Sequence, residues 1–256
     1  MDSFGLNLYS IRNKIETEEA FLKTALELKE GGYSFLQFSG SPLPADAVKR
    51  VVEQTGMPVV LTHRPMDRIL NDTEKLMEED GSFGCKNIGL GMMDMKALLD
   101  EDAFKATVEK LDKAGEKMKK AGFKFFYHNH YQEFYKLKNG QTRFDYMIEN
   151  APNFNFTLDT YWVQYGGESI LEFLDKVDGR IECVHLKDYA ILKDEEGNLK
   201  PTYESVGYGT INFKPVVEKM KKKGVKYFLV EQDNAATLPD TMEQVLRSAK
   251  YIKENL

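Results

Sequence analysis

Met118-Lys119-Lys120-Ala121-Gly122-Phe123-Lys124-Phe125-Phe126-Tyr127-His128-Asn129-His130 holds, in order, a helix end, a glycine stop, a strand and a polar cluster. Upstream, Phe104, Val108, Leu111, Ala114 and Met118 recur at the three- and four-residue spacing of one helix face, which predicts a helix from Ala103 to Lys120. Gly122 lies just past its end, where a left-handed cap is expected. Phe123–Tyr127 is short, aromatic and apolar on successive positions, as in a strand buried on both faces.

The same unit recurs along the chain in both directions. Apolar runs occur at Phe4–Ser10, Tyr33–Phe38, Pro58–Thr62, Asn87–Leu90, Phe123–Tyr127, Phe154–Leu158, Ile181–Leu186 and Tyr227–Val230. Amphipathic stretches separate them, such as Glu18–Lys29 with Ala20, Phe21, Leu22, Ala25, Leu26 and Leu28. Gly31-Gly32, Gly56 and Gly224 repeat the stop before the next strand. Helix, glycine and strand about every thirty residues is the rhythm of a parallel sheet. Eight units in 256 residues predict one (β/α)8 barrel domain over 1–256. An open doubly wound sheet is the alternative, but no G-x-G-x-x-G follows an early strand. Lys187–Gly209 is the longest irregular segment, with a charged tip at Lys193–Asn198. It reads either as a cover for the substrate or as a solvated surface hairpin.

The net charge of −6 argues against a nucleic-acid partner, because phosphate binding needs a basic face. The basic run Lys219–Lys223 falls at a predicted helix end, where it complements the helix dipole. Cys85 and Cys183 read as small buried residues rather than a pair. Met1-Asp2-Ser3-Phe4 starts acidic and leads straight into a strand, and no apolar run approaches the roughly 18 residues of a membrane span. A cytoplasmic location without a membrane partner is the expectation.

In a (β/α)8 barrel the chemistry lies at the C-terminal mouth of the strands. The chain has four histidines, and His63, His128, His130 and His185 all fall at or just past predicted strand ends. Asp159 ends the sixth strand and Glu231 the eighth. An ionisable group ending an apolar strand is costly to desolvate unless it is paired or bound to a cation. Asp159, His185 and Glu231, on three consecutive strands, suit one divalent ion (Mn²⁺, Mg²⁺, Zn²⁺ or Fe²⁺) with positions left for substrate oxygens. The fourth ligand is expected from the segment His128–Glu133. Strand register favours His128, whereas the preference of hard cations for carboxylates favours Glu133, which is the chosen assignment. His128 or His130 is then the acid/base. Lys187 lies on the face of His185 and can reach a substrate oxygen. Trp162 can wall the C–H face of a sugar, and Arg12, His63 and Arg64 can hold hydroxyls or an anionic group, or face solvent.

Leu8-Tyr9-Ser10-Ile11-Arg12, Thr62-His63, Tyr127-His128-Asn129-His130, Leu158-Asp159-Thr160-Tyr161-Trp162, His185-Leu186-Lys187-Asp188, Val206-Gly207-Tyr208-Gly209-Thr210 and Val230-Glu231-Gln232-Asp233 span nearly the whole chain. Together they resemble the sugar phosphate isomerase/epimerase family, the xylose isomerase-like TIM barrels that also contain endonuclease IV. The resemblance implies one metal held by a Glu, an Asp, a His and a second Glu. Asp159, His185 and Glu231 match the last three. His128 stands where the family's first glutamate would be, and Glu133 is the candidate replacement. In the ketose epimerases the two glutamates also form the opposed acid/base pair, which would make Glu231 catalytic. Trp162 stands where those epimerases often carry histidine. The chain is similar to a His-Asn-His branch that acts on keto-sugars and inositol-like polyols.

The leading expectation is therefore a metal-dependent sugar or sugar phosphate isomerase or epimerase. It would remove a proton beside a carbonyl through an enediolate. The same enediolate can expel a hydroxyl or glycosyloxy group, so a dehydratase or lyase on a keto-sugar or inositol-like polyol is the alternative. A non-catalytic sugar-binding protein is a reading of another class, which loss of metal ligands would signal. DNA repair would need many more histidines and a basic face. The expected partner is a small carbohydrate, and a homo-oligomer is compatible with the sequence.

Overall fold

A computed structural model describes residues 1–256. Ten strands form: β1 (Gly5–Asn7), β2 (Phe35–Phe38), β3 (Val59–His63), β4 (Asn87–Leu90), β5 (Lys124–His128), β6 (Phe154–Asp159), β7 (Cys183–Leu186), β8 (Asp188–Lys193), β9 (Leu199–Glu204) and β10 (Tyr227–Val230). Eight of them close a parallel barrel in the order β1-β10-β7-β6-β5-β4-β3-β2. Helices between the strands cover its outside, so the sheet is buried on both faces and its strands read as unbroken apolar runs.

The predicted helix near the centre of the chain is present as Glu101–Lys120, capped by Asp100, whose side chain accepts from the Ala103 N–H. Gly122 follows it with φ +79°, a conformation glycine adopts without a Cβ penalty, and β5 begins two residues later. The basic run at Lys219–Lys222 ends the helix Phe213–Lys222, as expected.

A layer of Phe35, Leu61, Phe126, Cys183 and Leu229 forms a cluster separate from the large outer core. These residues come from β2, β3, β5, β7 and β10. Side chains alternate along a strand, so the residue two positions on points into the same lumen. Those residues are Gln37, His63, His128, His185 and Glu231. An apolar plug therefore lies directly beneath a polar layer at the mouth. Gly5 belongs to this construction, since a Cβ there would meet the Phe35 ring.

One expectation changes, and one of two open readings takes form. The first predicted strand ends early, because Leu8–Lys14 coils into a 3-10 helix capped by the Asn7 side chain. The irregular segment after the seventh strand is an antiparallel hairpin, β8 with β9, paired from Asp188↔Glu204 to Lys193↔Leu199. Its base returns into the fold through Asp188, whose carboxylate accepts N–H bonds from Gly207, Gly209 and Ile211 at 2.9, 3.0 and 3.1 Å. No helix is long and apolar enough to cross a membrane. Both cysteines are buried and unpaired.

Candidate active site

His128, Asp159, His185 and Glu231 converge at the mouth, and one ligating atom from each lies within 4.8 Å of the others. All four are buried. Asp159 and His185 are register partners across β6 and β7, which sets them side by side. The His128 and His185 rings lie 4.5 Å apart, and His63 stacks on His128 at 5.3 Å.

Each group is aimed by a contact on its outer side. The Nδ1 of His128 sits 3.0 Å from the Gly91 carbonyl, which can only accept. Nδ1 therefore carries the proton, and the Nε2 lone pair faces inward. Gly91 is also the close-approach point, because a Cβ there would meet the His63 ring. The Nε2 of His185 lies 2.7 Å from Gln37 Oε1, leaving its Nδ1 lone pair inward. Glu231 Oε1 accepts from Asn7 Nδ2 at 3.0 Å, and Asn7 in turn accepts from the Ser39 hydroxyl. Asp159 Oδ1 accepts the Trp162 N–H at 3.0 Å, while the Asp159 N–H donates to Asn129 Oδ1.

Two imidazole lone pairs and two carboxylate oxygens thus face one another out of solvent. Glu231 Oε2 abuts His185 Nδ1 without hydrogen-bond geometry and has no donor. Burial opposes a charge on His185, but Glu231 and Asp159 outweigh it and favour a proton on its inward Nδ1, the place an ion would take, raising its pKa to about 9. Burial likewise opposes ionisation of Asp159 and Glu231, yet Lys187 and the histidines hold both carboxyls below their ordinary range. The point at which these atoms converge calls for positive charge, and its nitrogen and carboxylate donors suit a divalent ion. The residues present fit such an ion.

Lys187 borders this group. Its ammonium is 2.7 Å from Asp233 Oδ2, 3.7 Å from Asp159 Oδ2 and 4.0 Å from Glu231 Oε2. It lies over the Trp162 and Tyr203 rings at 5.2 and 5.0 Å. Burial works against its charge, but the three carboxylates prevail and raise its pKa. Tyr203 belongs to β9, so the hairpin supplies one wall of the site. His130 sits against His128 and Trp162, at 4.6 and 5.4 Å between ring centroids. Its Nδ1 is shielded and has no partner. Burial, then the neighbouring His128, lowers its pKa to about 3. His63, His128, His130, Glu231 and Asp233 line a cavity of about 410 Å³.

The placement of Glu133 differs from its preferred assignment. It is buried and lies outside the group of four. Its two oxygens accept from the Tyr127 hydroxyl and the His130 N–H, both at 2.8 Å. The strand alternation that carries Phe126 into the lumen carries His128 there too, whereas Glu133 follows on a short 3-10 turn, Gln132–Phe134. Arg64 is locked to the buried Asp80, whereas Arg12 donates to the Tyr9 and Asp233 backbone carbonyls, which fix its guanidinium without neutralising it. Gln37, Asn7, Ser39, Asn129 and Asp233 escaped the sequence reading. Counting two residues beyond the plug would have found Gln37 and Asn7.

A model of the xylose isomerase-like TIM barrel family matches residues 26–255 of this chain. The chain belongs to that family. Xylose isomerase-like relatives include an inosose dehydratase of Clostridium perfringens, 27% identical over 98% of this chain and 86% of its own length. A solved sugar phosphate isomerase/epimerase from Parabacteroides distasonis is similar with a TM-score of 0.80 at 21% identity, covering 99% of this chain and 94% of that one. A xylose isomerase-like protein from Mycobacterium smegmatis, solved in complex with magnesium, has a TM-score of 0.72 at 13% identity, covering 98% and 95%. At these identities the solved structures show the shared barrel. The xylose isomerase-like family and its relatives put the chain in a class of sugar-modifying enzymes.

Proposed function

We propose that this chain is a metal-dependent dehydratase that removes water from a keto-polyol of the inosose type. The observation that carries this reading is the fifth-strand position. An epimerase of the kind the family resemblance implies needs two opposed carboxylates, one on each face of the substrate. Here His128 faces Glu231 across the group, and Glu133 is engaged by Tyr127 and the His130 N–H. Elimination needs only one acid/base on one face. The inosose dehydratase relative, matching 98% of the chain, supports the same choice over isomerisation.

A divalent ion held by His128, Asp159, His185 and Glu231 would supply Lewis acidity to a ketone and its neighbouring hydroxyl. Lys187, kept charged by its carboxylates, donates a hydrogen bond to a substrate oxygen beside the group. His130 lines the cavity and is held neutral by burial, so its ring takes the proton from the carbon next to the carbonyl. The C–H electron pair becomes a carbon–carbon double bond as the hydroxyl on the next carbon leaves. His130 hands its proton to that hydroxyl, so the products balance as alkene and water. The Trp162 and Tyr203 rings exclude bulk water from this edge.

The test is turnover of an inosose by purified protein supplied with Mn²⁺ or Mg²⁺. A product lighter by one water, lost on chelation and restored by metal, is expected. No such product with any of Mn²⁺, Mg²⁺ or Zn²⁺ overturns the reading.

A further inference from the structure

Apart from histidines, three charged side chains line the cavity over the group of four: Arg64, Glu231 and Asp233. Arg64 is held by the buried Asp80, and Glu231 is turned into the group. Asp233 is left over. It continues the alternation that carries Leu229 into the plug and Glu231 to the mouth, and its side chain is 25% exposed.

Only half of this carboxylate is engaged. Its Oδ2 accepts from the Lys187 ammonium at 2.7 Å, whereas its Oδ1 accepts no bond from the protein. An ionised carboxylate accepts hydrogen bonds and donates none. A hydroxyl satisfies Oδ1, while a ketone, an ester oxygen or an anion does not. The place of Asp233 is also fixed. The Gln232 N–H donates to Ser10 Oγ at 2.9 Å, the Asp233 carbonyl accepts from Arg12 at 3.0 Å, and Asn234 Nδ2 donates to the Tyr203 carbonyl at 3.1 Å. Three successive residues are thus tied to the segment after β1 and to the hairpin, so the carboxylate loses little freedom when a ligand arrives.

Lys187 links Asp233 to the group of four, with its ammonium 3.7 Å from Asp159 Oδ2 and 4.0 Å from Glu231 Oε2. Asp233 therefore stands one ammonium away from the group. A polyol ring carries its hydroxyls on successive carbons. A ring with two oxygens at the group of four turns a further hydroxyl to this wall.

We propose that Asp233 is a specificity-determining residue that accepts a hydrogen bond from a substrate hydroxyl beyond the pair at the group of four. The site then takes a ring with a free hydroxyl at that position and rejects one in which it is missing or esterified. The proposal rests on the preceding reading only for the class of the ring.

Binding of unreactive ligands tests it apart from turnover. Calorimetry on the Mn²⁺-loaded protein compares inositol with its monodeoxy derivatives, for wild type, Asp233→Ala and Asp233→Asn. Inositol is expected to bind Asp233→Ala about 10–100-fold more weakly than wild type, with Mn²⁺ affinity retained, which also shows that the variant folds. Asp233→Asn, which keeps the shape and a neutral acceptor, falls between the two. At least one monodeoxy inositol binds wild type as weakly as inositol binds Asp233→Ala, and loses nothing more in that variant. If Asp233→Ala does not hold Mn²⁺, the same comparison is made with Asp233→Asn. Unchanged inositol affinity in the variants, an equal loss for inositol and every monodeoxy derivative, loss of Mn²⁺ from both variants, or no inositol binding to wild type overturns the proposal. Inosose dehydration is measured separately, so its failure would count against the reaction and not against Asp233.

Discussion

Gln37 Oε1 accepts the Nε2 proton of His185 across 2.7 Å, and this contact sets which nitrogen of His185 faces Asp159 and Glu231. The two residues lie on β2 and β7, so the barrel lumen, not local sequence, brings them together. Gln37→Leu keeps a buried side chain but removes the acceptor. The imidazole is then free to change tautomer. Affinity for Mn²⁺ is expected to fall by about 10–100-fold by titration, while the folded state persists. Unchanged affinity would show that Gln37 does not orient the ligand.

His128 and Glu133 separate in a pair of variants. His128→Ala removes one inward lone pair and is expected to abolish stoichiometric metal. Glu133→Ala deletes the acceptor for the Tyr127 hydroxyl and the His130 N–H, both buried contacts. It is expected to cost about 2–3 kcal/mol of stability in urea melts while metal content holds. The opposite pattern, metal lost from the Glu133 variant alone, would return the ligand role to Glu133.

Lys187→Met retains the stem that packs against Trp162 and Tyr203 but removes the ammonium. Turnover of inosose is expected to drop by about 10²–10³-fold, with metal still bound. Loss of metal together with activity would mean that Lys187 only balances the carboxylates of the group.

The barrel was legible because buried parallel strands leave unbroken apolar runs and glycine marks the helix ends, as at Gly122 before β5. Asp159, His185 and Glu231 were legible as charges ending such runs. The placement of Glu133 outside the group of four was not legible, because a carboxylate preference says nothing of position whereas the two-residue strand period does. Phe126 in the plug dictates His128 at the mouth. Gln37 and Asn7 share the register of the lumen-facing residues, but only their contacts with His185 and Glu231 give these uncharged side chains a role. The β8–β9 hairpin was legible as one of two readings of Lys187–Gly209, and Gly197 at its charged tip has φ +90°, as a turn requires.

Elimination and isomerisation begin with the same proton removal and part at the next bond. Mass spectrometry of the metal-loaded protein acting on an inosose in deuterium oxide distinguishes them most directly. A product lighter by one water, absent from chelated protein and from His128→Ala, is the expected result. A product of unchanged composition carrying one deuterium at carbon, with no water lost, would contradict the account.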